Sequence, residues 1–171
     1  MEYESQIGQD EFVVDQLNGK LGGTFLDVGA CYYKHINNTY YLEKALGWRG
    51  IAIDVDPHYQ AEWNANRENT IFVVQDATQI DYKKLCEDHG LGPVIDYLSL
   101  DLEPPHLTFT ALQKVLSSGL KFRVITFETD FYRYKDSRDP SRKLLSEHGY
   151  ELIVEGDQDD FYILKDLKNN L

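Results

Sequence analysis

The chain has little of what would place it outside the ordinary globular class. Its two cysteines, Cys31 and Cys86, have no metal-ligand spacing and are too few for a disulfide framework. No apolar run approaches the length of a membrane span, and the N-terminal stretch Glu2-Tyr3-Glu4-Ser5 is acidic and polar, unlike a secretory leader. These absences predict a cytoplasmic protein with no membrane partner. No Pro/Gly/Ser-rich linker divides the 171 residues, so a single domain over 1–171 is expected, long enough to bury a core. Bases are also short: 17 stand against 29 acids, for a net charge of −12. A surface this acidic repels phosphate backbones, which argues against nucleic acid as a generic partner. The sequence leaves the oligomeric state open.

What is present lies in the order of the residues. Short β-type runs near 24–28, 50–54, 70–75, 95–100, 122–128, 150–155 and 160–165 alternate with amphipathic stretches near 39–47, 58–67, 80–88, 107–117 and 138–148. Strict alternation with short connections predicts an α/β fold, a largely parallel sheet with helices on both faces. The end breaks that rhythm. Only Gly156-Asp157-Gln158-Asp159-Asp160 separates the last two runs, and a turn so short joins antiparallel strands. The expectation is a seven-stranded mixed sheet closed by a C-terminal hairpin. A leading helix from Gln9 to Leu17 is expected to pack near the ligand edge.

Four successive runs end in acids. Thr24-Phe25-Leu26-Asp27-Val28-Gly29-Ala30 couples a carboxylate to a glycine turn, Gly50-Ile51-Ala52-Ile53 ends in Asp54, the third run in Asp76-Ala77, and the fourth in Asp101-Leu102-Glu103. Ligands of open α/β sheets bind at the carboxyl ends of strands, where Gly29 would let the backbone approach. Asp54 is placed to accept from both hydroxyls of a ribose, and Asp76 from an adenine amino group. A single acid at a strand end is as readily a helix cap; four in succession argue for a ligand. The glycines that cradle a pyrophosphate are missing, because Gly29 is followed by Ala30-Cys31-Tyr32-Tyr33, and no P-loop lysine motif occurs. A ligand with ribose and adenine but no pyrophosphate fits this pattern.

Ser5-Gln6-x-Gly8-Gln9-Asp10, Phe25-Leu26-Asp27-Val28-Gly29-Ala30, Asn37-Asn38-Thr39 with Leu42-Glu43-Lys44, and Gly47-Trp48-Arg49-Gly50-Ile51 leading to Asp54-x-Asp56-Pro57 together resemble the FkbM-type methyltransferases. Weaker likeness continues through Asp96–Glu103 and Ile125–Glu128 to Gly149-Tyr150, so it spans nearly the whole chain. The resemblance implies a Rossmann-like class I methyltransferase fold and S-adenosylmethionine as cofactor. It also implies methyl transfer to the hydroxyl of a small molecule or glycan. By match to the family motifs, Asp27, Gly29 and Ala30 would lie beside the methionine part of the cofactor, Asp54 at the ribose, and Asp76 with Ala77 at the adenine. Gln6, Asn38 and Thr39 would close the pocket.

An acceptor hydroxyl must lose a proton, and His106, Asp101 and Glu128 are the candidate catalytic groups at the same edge. A divalent metal held by Asp101, Glu103, Glu128 and Asp130 is possible on oxygen-ligand grounds but not favoured. Arg133, Lys135, Arg138 and Arg142 make the segment after the fifth run the most basic region, which hints at an anionic acceptor. Two departures from the family pattern, Cys31-Tyr32-Tyr33 and Pro104-Pro105-His106, support an alternative: a non-catalytic, methyltransferase-like binding module whose pocket is crowded by Tyr32.

Overall fold

Residues 2–166 are described by the computed structural model. Among them, seven strands form one sheet: β1 (Thr24–Val28), β2 (Arg49–Asp54), β3 (Thr70–Val74), β4 (Val94–Leu100), β5 (Lys121–Glu128), β6 (Tyr150–Val154) and β7 (Asp159–Leu164). Six α-helices connect or precede them: α1 (Gln9–Gln16), α2 (Tyr40–Leu46), α3 (Gln60–Asn66), α4 (Tyr82–Asp88), α5 (His106–Ser117) and α6 (Arg138–Glu147). The strand order is β3-β2-β1-β4-β5-β7-β6, with β7 antiparallel to both of its neighbours.

Local chemistry explains the elements. The central strands are covered on both faces, so they read as continuous apolar runs. Leu26 and Val28 pack into one core cluster, while Phe25 packs on the opposite side with Val13, Leu42, Trp48, Tyr97 and Val124. Helix α5 buries Thr108, Ala111, Leu112, Val115 and Leu116, a single face at helical spacing. Asp81 caps α4, its side chain accepting from the Lys84 amide at 3.0 Å. Inside that helix Cys86 is fully buried. The helix expected over 58–67 is divided. Pro57 starts a 3-10 turn, Pro57–Tyr59, capped by the Asp56 side chain, and α3 follows.

One feature of the topology positions the site. From β1 the chain winds outward through β2 and β3, then crosses back to β4 on the other side of β1. The carboxyl ends of β1 and β4 therefore flank a crevice, the usual ligand position in such sheets. Register sets what meets there. Val28 pairs with Leu100, so the turn at Gly29 lies against Asp101, and Glu128 of β5 pairs with Asp159 of β7.

Candidate active site

The turn after β1 is fixed by backbone bonds. The amides of Gly29 and Ala30 donate to the Ile53 carbonyl at 2.9 and 3.0 Å, and the Asp101 amide donates to the Val28 carbonyl at 3.0 Å. Gly29 has φ of +86°, and a Cβ there would lie 1.6 Å from the Asp101 carbonyl oxygen. The glycine is thus required by the packing of the β1 turn onto β4 as well as by its left-handed backbone.

Two adjoining cavities open at these strand ends. The larger, about 310 Å³, is walled by Gln6, Gln9, Asp27, Gly29, Ala30, Cys31, Asn38, Asp54 and Asp101 among others. The smaller, about 160 Å³, is formed by Ile53, Gln75, Asp76, Ala77, Thr78 and Leu107. Asp54, Val55, Leu102 and Glu103 belong to both walls and mark the junction. A ligand with a polar half and a flat apolar half, joined by a hydroxylated ring, suits this two-part shape.

Asp54 sits at that junction. Its Oδ2 accepts from the Cys31 amide at 3.0 Å and its Oδ1 from the Asp56 amide at 2.9 Å. Each carboxylate oxygen accepts more than one bond, so the carboxylate is held in place with capacity to spare. Asp76 uses Oδ1 for the amide and hydroxyl of Thr78, at 2.8 and 2.7 Å. Those bonds hold its carboxyl below the ordinary range. Asp76 lines the smaller cavity.

Asp27 is held differently. It is 2% exposed and accepts at Oδ2 from Thr39 Oγ1 at 2.9 Å and Asn37 Nδ2 at 3.2 Å. Burial pushes its carboxyl up to about 6, against the Thr39 bond and the charge of Arg67. Thr39 is fully buried and stands behind the wall rather than on it, whereas Asn38 and Gln6 do line the larger cavity. Behind Thr39 lies Arg67, itself 2% exposed, which donates to Glu43 Oε2 at 2.6 Å and to Asn37 Oδ1 and Thr39 Oγ1, each at 3.1 Å. Burial works to raise the Glu43 carboxyl, but Arg67, with the Thr70 hydroxyl, holds it below its usual value.

The three candidate catalytic residues separate. Asp101 lines the larger cavity, and Glu128 is hydrogen-bonded to it. Burial raises both carboxyls, and the bond to Asp101 helps push Glu128 to about 11. Two carboxyls so close titrate as a pair and share one proton. His106 begins α5, is exposed, and faces Tyr134 with ring centroids 6.5 Å apart; it is on neither cavity wall.

Several participants escaped the sequence reading. Gln9, 3% exposed and on the cavity wall, donates from Nε2 to Asp159 Oδ2 at 3.0 Å across 150 residues of chain. Only the β5–β7 register brings Asp159 to this edge, where burial and the charges of Asp101, Asp130 and Asp160 raise its carboxyl to about 7, against the Gln9 bond. Val55 and Leu102, the apolar walls, carried no signal beyond their position after a strand. Tyr32, expected to crowd the pocket, is 44% exposed, lies edge-on to Tyr59, and is absent from both walls. The basic segment is neutralised from within: Arg133 pairs with Glu103 and Asp130, Arg142 with Asp160 and Glu155, and Lys135 lies over Phe131. Among the described residues no group of three His, Cys, Asp or Glu has the geometry to hold a metal ion, and no helix is long and apolar enough to cross a membrane.

Asp159 carries a pH prediction. An aspartate titrates near 4 in an unfolded chain, and near 7 here. The folded state therefore binds the proton more tightly, so this group's contribution is largest in acid and is lost as pH rises from about 4 to about 7. Melting temperature should fall between about pH 5 and pH 8, and less steeply in Asp159→Asn. Identical slopes in the two proteins would contradict the assignment.

No protein-family model matches the sequence, and neither does any curated protein. Solved structures do match. A TehB-like SAM-dependent methyltransferase from Corynebacterium glutamicum superposes with a TM-score of 0.57 at 18% identity, over 94% of this chain and 89% of that one. An SAM-dependent methyltransferase from Aquifex aeolicus gives 0.56 at 17% identity, over 94% of each chain. The 1,6-didemethyltoxoflavin-N1-methyltransferase of Burkholderia thailandensis, solved with S-adenosylhomocysteine bound, gives 0.56 at 15% identity, over 92% of this chain and 75% of that one. The fold is that of the class I methyltransferases. In the methyltransferase fold the antiparallel β7 between β5 and β6 is the distinguishing element, and it is the one the short 156–160 turn foretold.

Proposed function

We propose that this chain is an S-adenosylmethionine-dependent methyltransferase acting on a hydroxyl oxygen of a small molecule or sugar, as its resemblance to the FkbM-type enzymes implies. The observation that carries the reading is the two-part cavity with Asp54 at its junction. The larger part would hold the amino-acid half of the cofactor, Asp54 would accept from its ribose hydroxyls, and Val55, Leu102 and Asp76 would receive its purine. Bound there, the cofactor supplies an electrophilic methyl on sulfur.

The chain's own groups then position and deprotonate. Alignment of the acceptor oxygen behind the methyl supplies much of the acceleration. Asp101, on the cavity wall, would take the proton of the acceptor hydroxyl. Glu128 keeps its own proton and donates a hydrogen bond to Asp101, which keeps the Asp101 carboxylate charged and oriented. The acid-lined cavity and the net charge of −12 favour a small acceptor over nucleic acid. The non-catalytic alternative loses one of its two supports, because Tyr32 lines neither cavity.

The test is transfer of isotopically labelled methyl to a panel of sugar and small-molecule hydroxyls. Label in an alkali-stable ether is the expected product. Label found only on nitrogen or in RNA would overturn the oxygen acceptor, and cofactor binding with no transfer to any class would favour the binding module.

A further inference from the structure

Tyr32 and Tyr33, which line neither strand-end cavity, line a third. This cavity, of about 430 Å³, is formed by Glu4, Tyr32, Tyr33, Lys34, His35 and Glu62. Tyr32 is exposed, and among the described residues no ring stacks on it: Tyr59 meets it at 74° and His35 at 59°. The loop is not free to fold this ring away. The Cys31 amide donates to Asp54 Oδ2 at 3.0 Å, the Cys31 carbonyl accepts from Trp63 Nε1 at 2.9 Å, and the Tyr33 carbonyl accepts from Arg67 Nη1 at 2.8 Å. Trp63 and Arg67 are both buried, so these anchors belong to the core. An aromatic ring kept open on a fixed backbone is contact area organised before any ligand arrives.

We propose that this third cavity is a carbohydrate-binding site, separate from the strand-end cavities and independent of what they hold. A pyranose presents a C–H face that packs on an aromatic ring, and an edge of hydroxyls that both donate and accept. The cavity offers the matching groups. Tyr32, Tyr33 and His35 supply rings, Glu4 and Glu62 supply acceptors, and the Lys34 ammonium supplies donors. Its charges argue against an ionic ligand. Lys34 lies 3.5 Å from Glu4, and Glu62 adds a second carboxylate, so either sign of ligand meets a like charge. A wholly apolar ligand would cover these charged groups without pairing them. A neutral polyol with one apolar face meets neither penalty. The volume falls within the range of about 300–1,000 Å³ usual for small-ligand sites.

The test is saturation-transfer NMR on the intact protein without cofactor. The probes are methyl β-D-glucopyranoside, methyl β-D-galactopyranoside and methyl α-D-mannopyranoside, with glycerol, a polyol lacking a ring face, as control. At least one glycoside is expected to bind with millimolar affinity and to receive saturation most strongly at its ring C–H protons, while glycerol receives none. Tyr32→Ala should weaken that binding by at least about fivefold, the scale of one lost ring contact. His35→Ala and Glu62→Gln should weaken it too. All three positions are exposed, so the melting temperatures of the variants should match that of the parent and separate lost binding from lost fold. No transfer to any of the glycosides, or transfer undiminished in all three variants, would overturn the site. Neither result bears on the cofactor reading, because the measurement involves no cofactor and no methyl transfer.

Discussion

Arg67→Met is expected to destabilise the protein by about 3–5 kcal/mol, the cost of stranding one member of a buried ion pair. Arg67 and Glu43 are 2% and 3% exposed, and the guanidinium makes the only strong cationic contact to that carboxylate's Oε2 among the described residues. Removing it leaves the buried Glu43 carboxylate with the Thr70 hydroxyl, the Asn69 amide and, 3.5 Å from Oε1, the Lys44 ammonium. For a chain of this size the melting temperature should drop on the order of 10 °C. The loss has a functional side. Arg67 also fixes Asn37 and Thr39, the two donors to Asp27, so the cavity wall should loosen and affinity for S-adenosylhomocysteine should fall with stability. Adding Glu43→Gln should recover part of the stability, because the pair then disappears together. A melting temperature unchanged in the single variant would show that the pair is not what holds this corner.

Asp101→Asn should lower turnover by about 10²–10⁴-fold, the range for loss of a positioned general base. The amide keeps the shape of the carboxyl, and the neutral thioether product should bind nearly as well as before. A loss confined to turnover separates proton removal from cofactor binding. Glu128→Gln should do less, since Glu128 acts through Asp101 and an amide can still donate to it. If Asp101→Asn retained full turnover while His106→Ala lost it, the proton acceptor would be the exposed histidine at the start of α5.

Much of the fold was legible because parallel strands buried on both faces leave continuous apolar runs, with a polar residue ending β2 and β5 or following β3 and β4. The terminal hairpin could be read from a five-residue gap alone. The site was legible to the extent that its residues sit at strand ends: Asp54, Asp76 and Asp101 all reach the cavities. Asp27 reaches the larger cavity too but is held differently: it lies within β1 rather than after it, and its carboxyl bonds to Thr39 and Asn37. The contacts that escaped detection are those set by tertiary register. Gln9 with Asp159, Arg67 with Glu43, and Asp159 beside Glu128 join residues whose nearness depends on which strands pair and how helices dock, information that local pattern does not carry.

The account stands or falls on a nucleoside cofactor held at the ends of β1 to β4. A calorimetric titration with S-adenosylhomocysteine, run beside Asp54→Ala, tests it most directly. The account predicts one-to-one binding in the micromolar range, with a rise in melting temperature, and affinity at least about tenfold weaker in a folded Asp54→Ala, as expected for lost charge-assisted bonds to the ribose. Absence of heat and of thermal stabilisation at high ligand, or equal affinity in the variant, would contradict it.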